Sequence, residues 1–250
     1  MAAVFRTDTG RIRTLNEDSG GIFWKGNRLL AVVADGMGGH QAGEIASEMA
    51  VSYLEQEWRK VTDDLTPSEA EQWLFETITA ANEKLFQLSQ SKPEYSGMGT
   101  TIVAVICTES NVTFAHIGDS RIYLLNENGF SLLTEDHSLV NELLKNGQIT
   151  KEEAEHHPRK HILLRALGTE QNVSIDIRSL DWERDDYLLL CSDGLTNKLD
   201  DHELEKIILT PDSLEKQADK LIEKANEAGG EDNITLVLLK HAFGKKGEPL

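Results

Sequence analysis

The apolar positions of this chain fall into two kinds of block. Residues 28–34 (RLLAVVA) form a continuous apolar run that ends in Asp35-Gly36. A run this short and this apolar is stable as a strand buried on both faces. Residues 2–8 and 20–24 read as shorter strands joined by a polar link. Four more are expected in quick succession at 100–108, 111–117, 120–125 and 129–133, with β-branched Thr101, Ile102, Val103 and Val105 among them. The turns between these four are short and polar, which makes antiparallel hairpins the natural pairing. Strands follow at 173–180, 186–191 and 233–241.

The second kind of block has the helix period. Ala42, Ile45, Ala46, Met49, Ala50, Tyr53, Leu54 and Trp58 share one face of a helix over 41–58. Thr66-Pro67-Ser68-Glu69 has the form of a capping box with proline at the first helical position. It opens a helix to about Ser91, with Trp73, Ile78, Leu85 and Leu88 among its apolar positions, and Pro93 closes the segment. Residues 137–146 are helical again, and Thr150 to Glu153 is another capping signature. Asp200 and Thr210-Pro211 each start a helix, and Gly229-Gly230 ends the second.

Paired helices alternate with blocks of sequential strands, which is an α+β arrangement rather than alternating βαβ. The expected fold is a central sandwich of two antiparallel sheets flanked by helices on both sides. No internal repeat, low-complexity tract or linker interrupts it. One domain is expected over 1–242, with 243–250 a disordered tail.

Composition changes this picture in one respect. The 250 residues are 39% hydrophobic and 27% charged, as in soluble globular proteins. No window approaches the ~18 consecutive apolar residues of a membrane span, and MAAVFRTDTG does not read as a signal peptide. A cytoplasmic protein with no membrane insertion is expected. Cys107 and Cys191 lie inside apolar runs and read as buried thiols. Nothing in the pattern asks for more than a monomer. The net charge of −18 weighs against nucleic acid as a partner. It would also repel a phosphate-bearing substrate unless cations sat in the site, so an acidic protein that handles phosphate implies metal ions.

Candidate ligands for such ions recur at strand ends. Asp35, Asp119 and Asp193 follow apolar runs, and Asp232 precedes one. A carboxylate at one such position is either a turn residue or an oxygen ligand. Four of them suggest convergence on one metal-bearing edge. Oxygen ligands select hard ions such as magnesium, manganese or calcium, and neither the Cys and His sets of zinc nor a calcium loop is present. Scattered aspartates, one able to bridge, suit a two-metal site, with Asp35 bridging and the Gly36 carbonyl adding an oxygen. Arg13 reads either as a phosphate-binding guanidinium or as a surface arginine, and Asp18 carries a similar ambiguity. His40 reads either as a proton donor to a leaving alkoxide or as a helix-start residue bonded to backbone. The histidines of 155–161 (EHHPRKH) lack regular ligand spacing and read as a solvated loop.

The strings RTLNEDS, VADGMGGHQAGEIAS, SGMGTT, AHIGDSRIYLL, LTEDHS, RALG, CSDGL and GGEDNITLVLL occur in order from Arg13 to Leu239. Together they resemble the PPM family, the metal-dependent protein phosphatases of the 2C type, in its bacterial cytosolic serine/threonine branch. The resemblance implies a β-sandwich flanked by helices and binuclear manganese or magnesium. It implies hydrolysis of phosphoserine and phosphothreonine by a metal-bridging hydroxide, without a phosphoenzyme. Asp35 would bridge the ions, Gly36 ligate through its carbonyl, and Asp193 and Asp232 complete one ion. Asp18 would lie in the second ion's shell, and Asp119 would hold a third, weaker ion. Arg13 would bind the substrate phosphate. His40 falls near the family's proposed general acid, on a turn longer than the DGH of eukaryotic members. Residues 145–162 match the mobile flap beside the site. The implied partner is a membrane-anchored Hanks-type serine/threonine kinase. Two alternatives stand beside this reading: a phosphatase for a small phosphoester or a sporulation-type regulator, and a catalytically silent partner-binding module on the same fold.

Overall fold

The protein is described by a computed structural model over residues 1–39, 41–62 and 64–242. Its first sheet has the order β1-β11-β10-β7-β8, formed by β1 (Ala2–Asp8), β7 (Arg121–Asn126), β8 (Gly129–Leu132), β10 (Tyr187–Cys191) and β11 (Ile234–Lys240). The second has the order β2-β3-β5-β6-β9, from β2 (Asp18–Lys25), β3 (Arg28–Met37), β5 (Ile102–Cys107), β6 (Asn111–Ile117) and β9 (Asp176–Asp181). The two-residue β4 (Gly99–Thr100) pairs with β3. All pairings are antiparallel.

The continuous apolar runs now have a physical reason. Along β3, Leu30, Val32 and Ala34 face a core shared with the helices α1 (Ala42–Trp58) and α2 (Pro67–Ser91). Leu29, Ala31 and Val33 face the core between the sheets. β11 divides in the same way, with Leu236 and Leu238 toward the helices α6 (Asp201–Ile208) and α7 (Leu214–Glu227), and Val237 and Leu239 inward. Each fully buried Val or Leu contributes roughly 1.5–3 kcal/mol, so both layers favour the same strand register. The α+β sandwich with helices outside each sheet is the expected one.

The capping reading of Thr66 holds. Its hydroxyl accepts from the Glu69 amide at 3.3 Å, and the Glu69 carboxylate accepts from the Thr66 amide at 2.8 Å. Asp200 caps α6 likewise, and Thr150 caps α4 (Lys151–Glu155). Between Thr134 and Thr150 the expected helix is α3 (Leu139–Lys145). Both cysteines are buried and unpaired.

Five local expectations need correction. Asp35 lies within β3 rather than beyond it, because the strand runs on to Met37. β2 starts at Asp18 rather than residue 20, and β9 at Asp176 rather than 173, where Val173 and Ile175 pack on the outer core outside the ladder. α7 starts after Ser213, not at Thr210-Pro211. The Thr210 hydroxyl turns back to the Ile207 carbonyl at 2.8 Å, and the Gln217 amide covers the Ile208 and Thr210 carbonyls, so that segment finishes α6. Finally, β5–β6 and β7–β8 are hairpins, but β6 and β7 do not pair. The turn Gly118-Asp119-Ser120 carries the chain from one sheet to the other. A one-turn helix, α5 (Asp193–Thr196), was not expected.

Candidate metal centre

The sheet switch matters because of what it carries. Asp119 sits on it, and it comes to the same end of the sandwich as the far part of β3, the end of β10 and the start of β11. A cavity of about 340 Å³ opens there, lined by Asp35, Gly36, Asp119, Asp193 and Asp232, with Arg13 on its wall. Asp18 stands opposite Asp35 in the β2–β3 register and is buried behind it.

Local hydrogen bonds hold the residues around the cavity. The Asp35 amide donates to the Thr101 hydroxyl at 2.9 Å, and its carbonyl accepts from the Thr101 amide at 2.8 Å and the Thr100 hydroxyl at 2.9 Å. At Gly36 a side chain is excluded: a Cβ would run into the carbonyls of Gly43 and Glu17. Only glycine lets the start of α1 and the end of the 9–17 loop close on β3 here. Asp193 opens α5 and accepts from the Asn197 amide group at 2.9 Å. Asp232 accepts from its neighbour's backbone amide at 2.9 Å and from Arg13 at 3.0 Å. Asn233 then ties down the 9–17 loop. It donates to the Thr9 and Leu15 carbonyls, both at 2.9 Å, and accepts from the Glu17 amide at 2.8 Å. That loop thereby turns Arg13 and Glu17 toward the cavity.

The electrostatics are those of like charges brought out of water together. Burial pushes the Asp18 carboxyl up to about 7, against the Ser192 hydroxyl that donates to it at 2.7 Å. Burial and then the nearby Asp193 and Asp136 push Asp119 up to about 8. Asp35 lies well above the ordinary carboxylate range, by burial and by the surrounding Asp18, Asp193, Asp119 and Asp232. Asp193 is raised by burial and by Asp232, and Glu17 by burial. Glu17 Oε1 and Asp18 Oδ1 are buried without a hydrogen-bond partner. Such groups neutralise or acquire a counter-charge. The donor set is all oxygen, which fits hard divalent cations.

The sequence model of the family described as Protein phosphatase 2C matches residues 11–236. The chain belongs to that family. It is 51% identical over 248 residues to the serine/threonine phosphatase stp of Listeria monocytogenes, covering 99% of this chain and 98% of that protein. Among solved structures, Stp1 from Staphylococcus aureus is similar with a TM-score of 0.90 at 40% identity, over 95% of this chain and 94% of that one. The catalytic domain of the serine threonine protein phosphatase PstP, solved in complex with 2 manganese ions, is similar with a TM-score of 0.83 at 33% identity, over 95% and 96%.

Within this 2C-type phosphatase, Arg13, Asp35, Gly36, Asp119, Asp193 and Asp232 are brought together at one cavity. Asp18 is set behind them, and His40 lies outside the described residues, as does the 243–250 tail. Sequence reasoning missed Glu17, Asn233, Thr101 and His161. Glu17 and Asn233 each stand beside a residue that was singled out, and the available signal was their place in the NED and EDN strings. The 155–161 loop is more than a solvated segment, since His161 reaches the cavity wall. A second titratable group also escaped notice. His116, His137 and Asp176 bring ligand atoms within 4.8 Å of one another. Metal-like spacing is not matched by metal-like chemistry there. The Gly118 amide donates to His137 Nδ1 at 3.1 Å, which leaves the proton on Nε2. The Arg165 guanidinium stands 3.2 Å from both His137 and Asp176, where it would oppose a dication.

Proposed function

We infer that this phosphatase hydrolyses phosphoserine and phosphothreonine in proteins, using two manganese or magnesium ions held by the cavity carboxylates. The observation that carries this reading is the set of carboxylates gathered at one cavity, together with the buried oxygens of Glu17 and Asp18 that have no partner. The names of the similar proteins and the two manganese ions of PstP support it.

Asp35, surrounded by the other acids, would bridge the ions, and Gly36, which lines the same cavity, would add its carbonyl. Asp193 and Asp232 would complete one ion, Asp18 and Glu17 would serve the second, and Asp119 would take a third, weaker one. Bound ions supply water acidic enough to attack at neutral pH and positive charge against the phosphoryl oxygens. Arg13 contributes a planar fork that matches two phosphate oxygens, and its contacts with Asp232 and Glu17 hold it on the cavity wall. Neither cysteine competes as a nucleophile. Burial pushes the Cys191 thiol up to about 12 and the Cys107 thiol higher still.

The same reading takes residues 1–242 as one catalytic domain acting as a monomer, and 145–162 as a flap beside the site. It places the enzyme in the cytoplasm, opposing a membrane-anchored Hanks-type serine/threonine kinase. Supporting it are the position of His161 on the cavity wall and the lack, among the described residues, of a helix long and apolar enough to cross a membrane.

The test is phosphate release from a phosphothreonine peptide with manganese and with EDTA, for the wild type and Asp193→Ala. Manganese-dependent release that the substitution removes supports the reading. Release that survives EDTA overturns the metal chemistry. Turnover of a small phosphoester alone would move the substrate from proteins to small molecules.

A further inference from the structure

The turn that bears Asp119 is held by groups that the reaction does not use. Gly118, with φ of 106°, makes the sharp change of direction between the sheets. Both of its backbone polar groups are taken by histidines. Its amide donates to His137 Nδ1 at 3.1 Å. Its carbonyl accepts from the His137 amide at 2.8 Å and lies 2.9 Å from His116 Nε2. The two rings lie against each other, with centroids 4.4 Å apart. The far side of the turn is clamped as well. Arg121 makes a two-pronged ion pair with Asp136, at 2.9 and 2.7 Å, next to His137 in the chain.

His137 has a second set of contacts. Its Nε2–H faces Asp176 Oδ2 at 3.2 Å, and Arg165 donates to the other oxygen of that carboxylate at 3.2 Å. The His137 carbonyl accepts from Leu164 at 2.8 Å, and Ser138 bridges to Leu163. The segment it grips thus includes Leu163, and just before it His161, both on the cavity wall. His116 and His137 are 1% and 8% exposed, and burial keeps both rings neutral by lowering their proton affinity, to about 4 for His116. A neutral His137 has one acceptor nitrogen, which takes the Gly118 amide, and one donor nitrogen, which faces Asp176 with the Arg165 guanidinium also 3.2 Å away.

We propose that His137 is a positioning residue for Asp119: one buried imidazole fixes the Gly118 turn on one side and is itself held by Asp176 and Arg165 on the other. It sets the cation position at Asp119 without touching the cation. This rests on the reading of Asp119 as the ligand of a third, weaker ion. The effect is that of an outer-shell group that orients a ligand, for which losses of about 10–100-fold in metal affinity are typical.

Two substitutions separate the two roles of the ring. In His137→Asn the amide oxygen takes about the place of Nδ1 and still accepts from Gly118. In His137→Gln the amide reaches toward Asp176 but leaves the Gly118 amide without an acceptor. Manganese binding is measured by calorimetry for the wild type, both variants and Asp119→Ala. Exchange of the Gly118 amide is followed by NMR in metal-free protein. Asp119→Ala should lose the weakest ion. His137→Gln should weaken that ion about tenfold, with the tighter ions unmoved and Gly118 exchange accelerated. His137→Asn should stay within about twofold of wild type on both readouts. If Asp119→Ala loses the ion and His137→Gln binds it like wild type, the positioning role is overturned while the Asp119 reading stands. If Asp119→Ala keeps every ion, that reading falls and the proposal falls with it. Should His137→Gln fail to fold, Asp176→Ala, at a half-exposed position, removes the partner of Nε2 instead. It should weaken the same ion about threefold, and an unchanged affinity would count against the proposal.

Discussion

The two ends of β10 are both acidic, and they behave in opposite ways. At the Tyr187 end a cavity of about 290 Å³ is lined by Glu127, Glu183, Asp185 and Asp186. There two of the acids have partners. Asp185 lies near Lys240 at 3.3 Å, and Asp186 accepts from the Glu183 amide at 2.8 Å. Beyond the Cys191 end, Asp193 joins Asp35, Asp119 and Asp232 around a cavity of similar size, about 340 Å³. The carboxylates behind that cavity include oxygens with no partner. Counting acids does not tell the two ends apart. The buried oxygens of Glu17 and Asp18 that lack a partner do, because an ion pair at the surface is nearly neutral in energy while a buried carboxylate oxygen without a partner is costly.

The contrast is broken most severely by removing one acid from each end. Asp193→Ala should lower manganese-dependent phosphate release on the order of 10²–10³-fold, in the range seen when a preorganised electrostatic group is lost. Asp185→Asn should leave release within about twofold. Equal losses at the two ends, measured side by side, would erase the distinction.

Gly36→Ala tests the packing beneath the metal end. The new methyl has only the carbonyls of Gly43 and Glu17 to move against, so the fold should lose about 3 kcal/mol or more, read from urea unfolding. A loss below about 1 kcal/mol would mean that the start of α1 gives way easily.

A smaller and more diagnostic effect is expected with pH. Asp18 and Asp119 have folded-state proton affinities near 7 and 8, above the ordinary value of 3.8. A carboxyl raised in this way binds its proton more tightly in the folded protein. Its stabilising share is complete below about pH 4 and is lost as the pH rises through 7 and 8. The melting temperature in EDTA should therefore decline across that window, and manganese should restore more of it at pH 8 than at pH 6. A melting temperature in EDTA that climbs from pH 6 to 8 would contradict the cluster's role.

The smallest change belongs to the other end. Asp185 is 69% exposed at φ of 72°, a conformation that asparagine also tolerates. Asp185→Asn should cost less than about 1 kcal/mol, with no dependence on manganese.

Much of this arrangement was legible in the chain because burial on two faces leaves long apolar runs, and the residue that ends such a run is easy to see. Asp35, Asp119, Asp193 and Asp232 stood out for that reason. Which sheet each strand joins was not legible. Gly118-Asp119-Ser120 has the look of a hairpin turn, and only the separate packing of β6 and β7 sends them to different sheets. Glu17 and Asn233 were hidden for a related cause. They meet across 216 positions of sequence, and their pairing exists only once the 9–17 loop has folded onto β11. The His116 and His137 pair could not be seen either, since one lies on a strand, the other before a helix, and their common partner is a glycine backbone.

The central claim is that the metal end holds protons where cations belong. It is tested most directly by calorimetric titration of metal-free protein with manganese at pH 6.5, in buffers of different ionisation enthalpy. Binding should release protons, because Asp18, Asp119 and Asp35 must ionise to accept the ions, and the release should shrink as the pH is taken above 8. Binding with no proton release at pH 6.5 would show that the carboxylates were already charged, and the account of the cavity would be wrong.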